Sequence, residues 1–187
     1  MVAGVPGGKR GGQGSAGQTH DTGTGRAKTI HLHNRYSVRG VRLGLLRRIT
    51  QALLEKTWPD GGFDLAVCLV AAPEMTRLNE AFLRHKGSTD VITFDYSERV
   101  GQALLHGEIV ICVDEAVRQA RRFHTTWQSE LVRYVVHGVL HLLGYDDQNS
   151  RARQRMKATE DALVRRLGGQ FAFGDLRQTR SRCLTRV

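Results

Sequence analysis

The sequence has no apolar run approaching the roughly 20 residues that a membrane-spanning helix needs. The stretch from Met1 to Arg26 lacks the apolar centre of a secretory leader. A soluble, cytoplasmic protein with no membrane partner is the expectation. Cysteine is scarce: Cys68, Cys112 and Cys183 are odd in number, far apart and without C-x-x-C spacing. That argues against a disulfide framework and fits a reducing compartment. Cys68 and Cys112 sit inside apolar runs, where a free thiol behaves as a small buried hydrophobe. No internal repeat is present.

What the chain has in excess is positive charge. Its formal net charge is +10 over 187 residues. Residues 1–30 and 171–187 each contribute +3, which leaves +4 for the body between them. A basic surface favours polyanions, of which nucleic acid is the commonest, although a merely solvated surface has the same composition.

Residues 1–26 hold nine glycines and few large apolar side chains, so they cannot bury enough surface to offset their ordering entropy. A disordered tail over 1–28 is expected, and a loose basic tail over 169–187. Between them the hydrophobic period switches repeatedly. Strands are predicted at Thr29–Asn34, Phe63–Ala71, Val91–Tyr96 and Glu108–Val113. Helices are predicted at Val41–Trp58, Pro73–Leu83, Asp114–Thr125, Glu130–Leu143 and Arg151–Leu167, with Ser129 and Ser150 as candidate caps. This order predicts one α/β (α+β) domain over 29–168, with a mixed sheet of about four strands and about five helices.

The segment from His137 to Asp147 carries chemistry. His137 and His141 are four apart on a predicted helix, which stacks both imidazoles on one face. Gly144 lets the chain leave the helix sharply, so that Asp146 and Asp147 can swing back toward the same point. Two imidazoles and a carboxylate make a three-ligand metal set that leaves a position open, as catalytic zinc sites do. Metalloproteases of the H-E-x-x-H type place their general base directly after the first histidine. Gly138 stands there instead, so a protease or generic metallohydrolase is a minor reading.

His-Gly-Val-Leu-His-Leu-Leu-Gly-Tyr-Asp at 137–146 closely resembles the motif of the YbeY family of bacterial rRNA-maturation endoribonucleases. Ser88-Thr89-Asp90-Val91-Ile92-Thr93-Phe94 and Gly107-Glu108-Ile109-Val110-Ile111-Cys112 are similar to two further family blocks, in the same order. The likeness covers roughly residues 29–167. It implies a single-strand-specific, metal-dependent endoribonuclease acting in 16S rRNA 3′-end maturation and ribosome quality control. The implied partners are single-stranded RNA and the small ribosomal subunit, and the implied cofactor is one zinc ion per chain. The alternative kept beside it is a non-catalytic, metal-stabilised assembly factor that binds rRNA or a ribosomal protein.

Two positions depart from the family pattern. Its motif commonly ends in a third histidine where this chain has Asp147, a normal oxygen ligand for zinc that makes the site harder and opens it to other divalent ions. Members also carry an arginine directly after the aromatic of an L-N-x-x-[YF] segment. Here Phe82 is followed by Leu83, and Arg84 comes one residue later. The resemblance thus implies His137, His141 and Asp147 as metal ligands. Arg84 and Lys86 become candidate phosphate contacts, Arg84 with a catalytic role, and Asp146 a candidate for orienting a ligand or the attacking water.

Overall fold

Alternation along the strands divides the molecule into two unequal layers. The structure, a computed structural model, describes residues 2–4, 27–97 and 104–178. Strands β2 (Lys28–Asn34), β3 (Gly62–Val70) and β5 (Leu104–Cys112) run parallel, and β4 (Val91–Asp95) is antiparallel to β5. A three-residue strand, β1 (Val2–Gly4), pairs with β4, giving the order β1-β4-β5-β3-β2. The four strands read from the sequence are present, and β1 adds a fifth. Most of the tail expected over 1–28 falls in residues 5–26, outside the described residues.

Successive side chains of a strand point to opposite faces. Leu65, Val67 and Leu69 of β3 therefore join Ile109 and Ile111 of β5 in the larger core. That core also takes in α1 (Leu43–Thr57), α3 (Val113–Arg122), α4 (Trp127–Leu142) and α5 (Ser150–Gly168). The alternate residues Cys68, Val70, Val110 and Cys112 face a smaller cluster under Met75 of α2 (Ala72–Leu78). The helix expected over Pro73–Leu83 is α-helical only to Leu78. It widens into a π-helical turn at Asn79–Leu83 and stops at Arg84, whose φ is +57°.

Helix α4 is the centre of its layer: twelve of its sixteen residues are buried, so it lacks the solvent face of an ordinary amphipathic helix. It begins one turn earlier than the apolar period suggests. Thr126, not Ser129, is the N-cap, and its hydroxyl accepts from the Ser129 amide at 3.2 Å. Likewise Asn149, not Ser150, caps α5 by accepting from the Ala152 amide at 2.9 Å.

Gly138 explains how closely α4 lies on the sheet. A Cβ there would stand 2.6 Å from Ile109 Cγ2, well inside contact distance. Only glycine allows this approach. A glutamate in the place of the protease base would bring the same clash.

The loose tail expected over 169–187 needs correction as far as residue 178. Leu176 is fully buried in the main core, and its carbonyl accepts from the Arg42 amide at 2.9 Å. Arg177 forms a bridge with Val41, and Phe171 and Phe173 pack against the core. These apolar side chains outweigh the glycine and arginine content that suggested disorder. Residues 179–187 lie outside the described residues.

Candidate metal centre

The last two turns of α4 carry His137 and His141 with their rings 4.6 Å apart at the centroids. Their Nε2 atoms face each other at 3.1 Å. The loop after α4 turns at Gly144, where φ is +84°. It brings Asp147 Oδ2 to 4.0 Å from His141 Nε2. Ligand atoms of all three residues lie within 4.8 Å of one another, a group able to hold a metal ion.

Each imidazole is oriented from behind. His141 Nδ1 lies 3.0 Å from the Tyr145 carbonyl oxygen, and His137 Nδ1 lies 3.0 Å from Glu160 Oε2 on α5. A carbonyl oxygen can only accept, so His141 Nδ1 must be the protonated nitrogen. Burial pushes the Glu160 carboxyl up, but His137 and Arg133 outweigh it and hold the group below its ordinary value. Glu160 is therefore ionised and accepts as well, which assigns the proton of His137 to Nδ1. With both Nδ1 atoms so engaged, the two Nε2 atoms are left facing each other across 3.1 Å, a spacing that one shared cation fits.

Burial, followed by repulsion from His137, lowers the His141 pKa from 6.5 to about 4. A metal ion suits the spacing. Zinc–nitrogen bonds of 2.0–2.1 Å at a tetrahedral angle place two nitrogens roughly 3.3 Å apart. The imidazole pair is already close to that value, and Asp147 stands slightly out. The site is not sealed: the His141 side chain is almost wholly buried, but those of His137 and Asp147 are 22% and 35% exposed, and His137 also fronts a cavity of about 310 Å³ whose wall includes Asp90, Tyr134 and Glu160.

The remaining expected residues are placed differently. The Asp146 carboxylate accepts from the Gln148 amide at 3.0 Å, shaping its own loop. Arg84 and Lys86 are exposed in the segment after the π-helical turn. Among the described residues no hydrogen bond or ion pair joins either to the histidines. The far end of that segment comes nearer, because Asp90 shares the wall of the cavity with His137. The Asp90 carboxylate also accepts from the Val91 amide at 2.9 Å and so braces the entry to β4.

Sequence reasoning missed Glu160 and Arg133. Arg133 Nη1 donates to Glu160 at 2.6 Å and to Asp161 at 2.5 Å. No local spacing announces Glu160, because it comes from a different helix than the ring it holds. Arg153 donates from Nε to the Asp147 carbonyl at 3.1 Å.

The chain is similar to known proteins over most of this domain. The family model described as "Endoribonuclease YbeY" matches residues 34–168. A protein of that name from Chlorobium phaeovibrioides is 37% identical over 140 residues, covering 75% of this chain and 91% of its own. One from Bordetella pertussis is 35% identical over 149 residues, covering 76% and 94%. The solution structure of TM1509 from Thermotoga maritima is similar with a TM-score of 0.57 at 26% identity, covering 84% of this chain and all of that one.

Proposed function

Because the chain belongs to the YbeY endoribonuclease family, we propose that it is a metal-dependent hydrolase that cuts single-stranded RNA. The observation that carries this reading is the pair of Nε2 atoms at 3.1 Å with both Nδ1 atoms committed elsewhere. Such a pair has a cation as its natural occupant. His137, His141 and Asp147 would hold it, and three protein ligands leave room for a reacting group. A divalent ion there, zinc by the family resemblance, supplies Lewis acidity at a phosphodiester oxygen and makes water a usable nucleophile near neutral pH.

The chain's own groups do the positioning. His141 stays neutral through burial and so needs no proton removed before it can bind. Asp147 adds a negative oxygen, which leaves the site less cationic than three imidazoles would and admits ions harder than zinc. Asp146 shapes the loop that presents Asp147. Arg84 and Lys86 are the proposed contacts for substrate phosphates, with Arg84 offsetting charge at the reacting one. The proposed setting is cytoplasmic, at the small ribosomal subunit, on the 3′ end of 16S rRNA and in ribosome quality control. Among the described residues no helix is long and apolar enough to cross a membrane.

The test uses the metal-loaded full chain with end-labelled RNA, single-stranded and as the matching duplex. Cleavage of the single strand, spared in the duplex and lost in His141→Ala, is the expected result. Binding without cleavage would move the chain to the reading of a non-catalytic assembly factor. Neither binding nor cleavage would remove RNA as the substrate.

A further inference from the structure

Helix α5 offers no atom to the metal group, yet it touches two of the three residues that do. In its first turn Arg153 holds the Asp147 carbonyl at 3.1 Å. About two turns on, Glu160 holds His137 Nδ1 at 3.0 Å. Asn149, the cap of α5, comes two residues after Asp147, so the start of the helix fixes where that ligand can sit. Among the described residues no other hydrogen bond holds His137 from behind. Glu160 is itself buried and anchored by Arg133 at 2.6 Å, while Arg133 keeps Asp161 at 2.5 Å as a further partner.

We propose that α5 is the clamp of the metal centre, and that Glu160, held by Arg133, is the positioning residue that keeps His137 Nε2 turned toward the ion. This rests on the metal reading of the site. Without Glu160, nothing assigns the proton of His137 to Nδ1, and the ring is free to rotate or change tautomer. A carboxylate behind a ligating imidazole fixes its orientation and raises its basicity, and losing one typically costs 10–100-fold in metal affinity. Arg153 is exposed and grips a backbone carbonyl, so its share is much smaller than that of the buried, charge-assisted bond. Arg133 is engaged from two sides, so it belongs to the clamp rather than to substrate phosphate.

Clamping works in both directions. If α5 stabilises the bound ion, the bound ion must stabilise α5 by the same factor. Zinc should therefore slow amide exchange around Glu160 on a helix that supplies no ligand.

The test strips the full chain of metal and titrates zinc against a chromophoric chelator. The same protein is followed by hydrogen exchange over residues 150–168. Glu160→Ala should bind zinc about 10–100-fold more weakly. Glu160→Gln, whose amide oxygen still accepts from Nδ1–H, should recover part of that loss. A purely structural contact would not produce this order, provided the metal-free variants melt alike. Wild-type α5 should gain protection on adding zinc, and the gain should vanish in Glu160→Ala. Equal affinity in all three proteins overturns the clamp while leaving the site intact. So does a wild-type α5 whose exchange ignores zinc, a measurement that requires no variant to fold. A wild-type chain that takes up no divalent metal sinks the site itself, which is a different result.

Discussion

His137 and His141 present the same ring atom to each other, Nε2 to Nε2 at 3.1 Å, while their other nitrogens face acceptors in two different segments. Two ring nitrogens converging this closely make the site sensitive to what lies between the rings.

Metal removal should therefore destabilise the fold. Free ion at a hundred times its Kd adds about 2.7 kcal/mol to stability. For a chain of this size each kcal/mol moves Tm by roughly 2–4 °C. A rise of roughly 5–10 °C on adding zinc to the stripped protein is expected by calorimetry. His141→Ala should show no such rise. A wild-type melting curve indifferent to metal would count against the site.

Asp147 should set which ion is preferred. Asp147→Ala should lower zinc affinity by more than the roughly 10–100-fold expected for losing an outer partner. Asp147→His should tighten zinc while weakening manganese, because it swaps a hard oxygen for imidazole. Competition titrations with both metals read this directly. Unchanged metal content in Asp147→Ala would remove the residue from the group.

The reach of the sequence is clearest at this centre. His137, His141, Gly144 and Asp147 lie within eleven residues, and helical spacing with a glycine stop is enough to bring them together. Glu160 arrives by tertiary packing, and the Tyr145 carbonyl has no side-chain identity to read. The segment after Phe82 is less legible for a local reason: the π-helical turn shifts the phase of every residue after Leu78, so α-helical counting cannot say where Arg84 points. Helix starts were read late at Thr126 because Trp127 and Gln128 do not announce the apolar period that begins at Leu131.

Gly138→Ala should cost roughly 1–3 kcal/mol, the usual range for overpacking a core, because its new methyl meets Ile109 at 2.6 Å. Denaturant midpoints would measure it. Combining it with Ile109→Val should recover part of the loss. Additive costs in the double variant would mean that the two residues do not compete for the same space.

Alkaline conditions should weaken the fold. Burial raises the thiol pKa values of Cys68 and Cys112, and it raises the phenol pKa values of Tyr36, Tyr96 and Tyr134. Each group is an acid whose folded pKa exceeds its unfolded one. Its contribution is complete below the unfolded value and disappears as pH rises through the folded one. Stability measured by urea midpoint should thus fall progressively above about pH 8.5, the ordinary pKa of an exposed thiol. In the native state at pH 8, iodoacetamide should leave Cys68 and Cys112 unmodified, as mass mapping of the peptides would show. Rapid labelling of either would contradict its burial.

The bridge between Val41 and Arg177 joins positions near opposite ends of the described chain, and Leu176 beside it plugs the entrance to α1. A nascent polypeptide emerging from its N-terminus cannot make that closure until nearly all of the sheet, the histidine helix and α5 have been synthesised. Contacts so distant in sequence are slow to form. The apolar entrance of α1 would stay uncovered through most of synthesis, and an expression tag inserted between Gly169 and Leu176 would prolong that exposure.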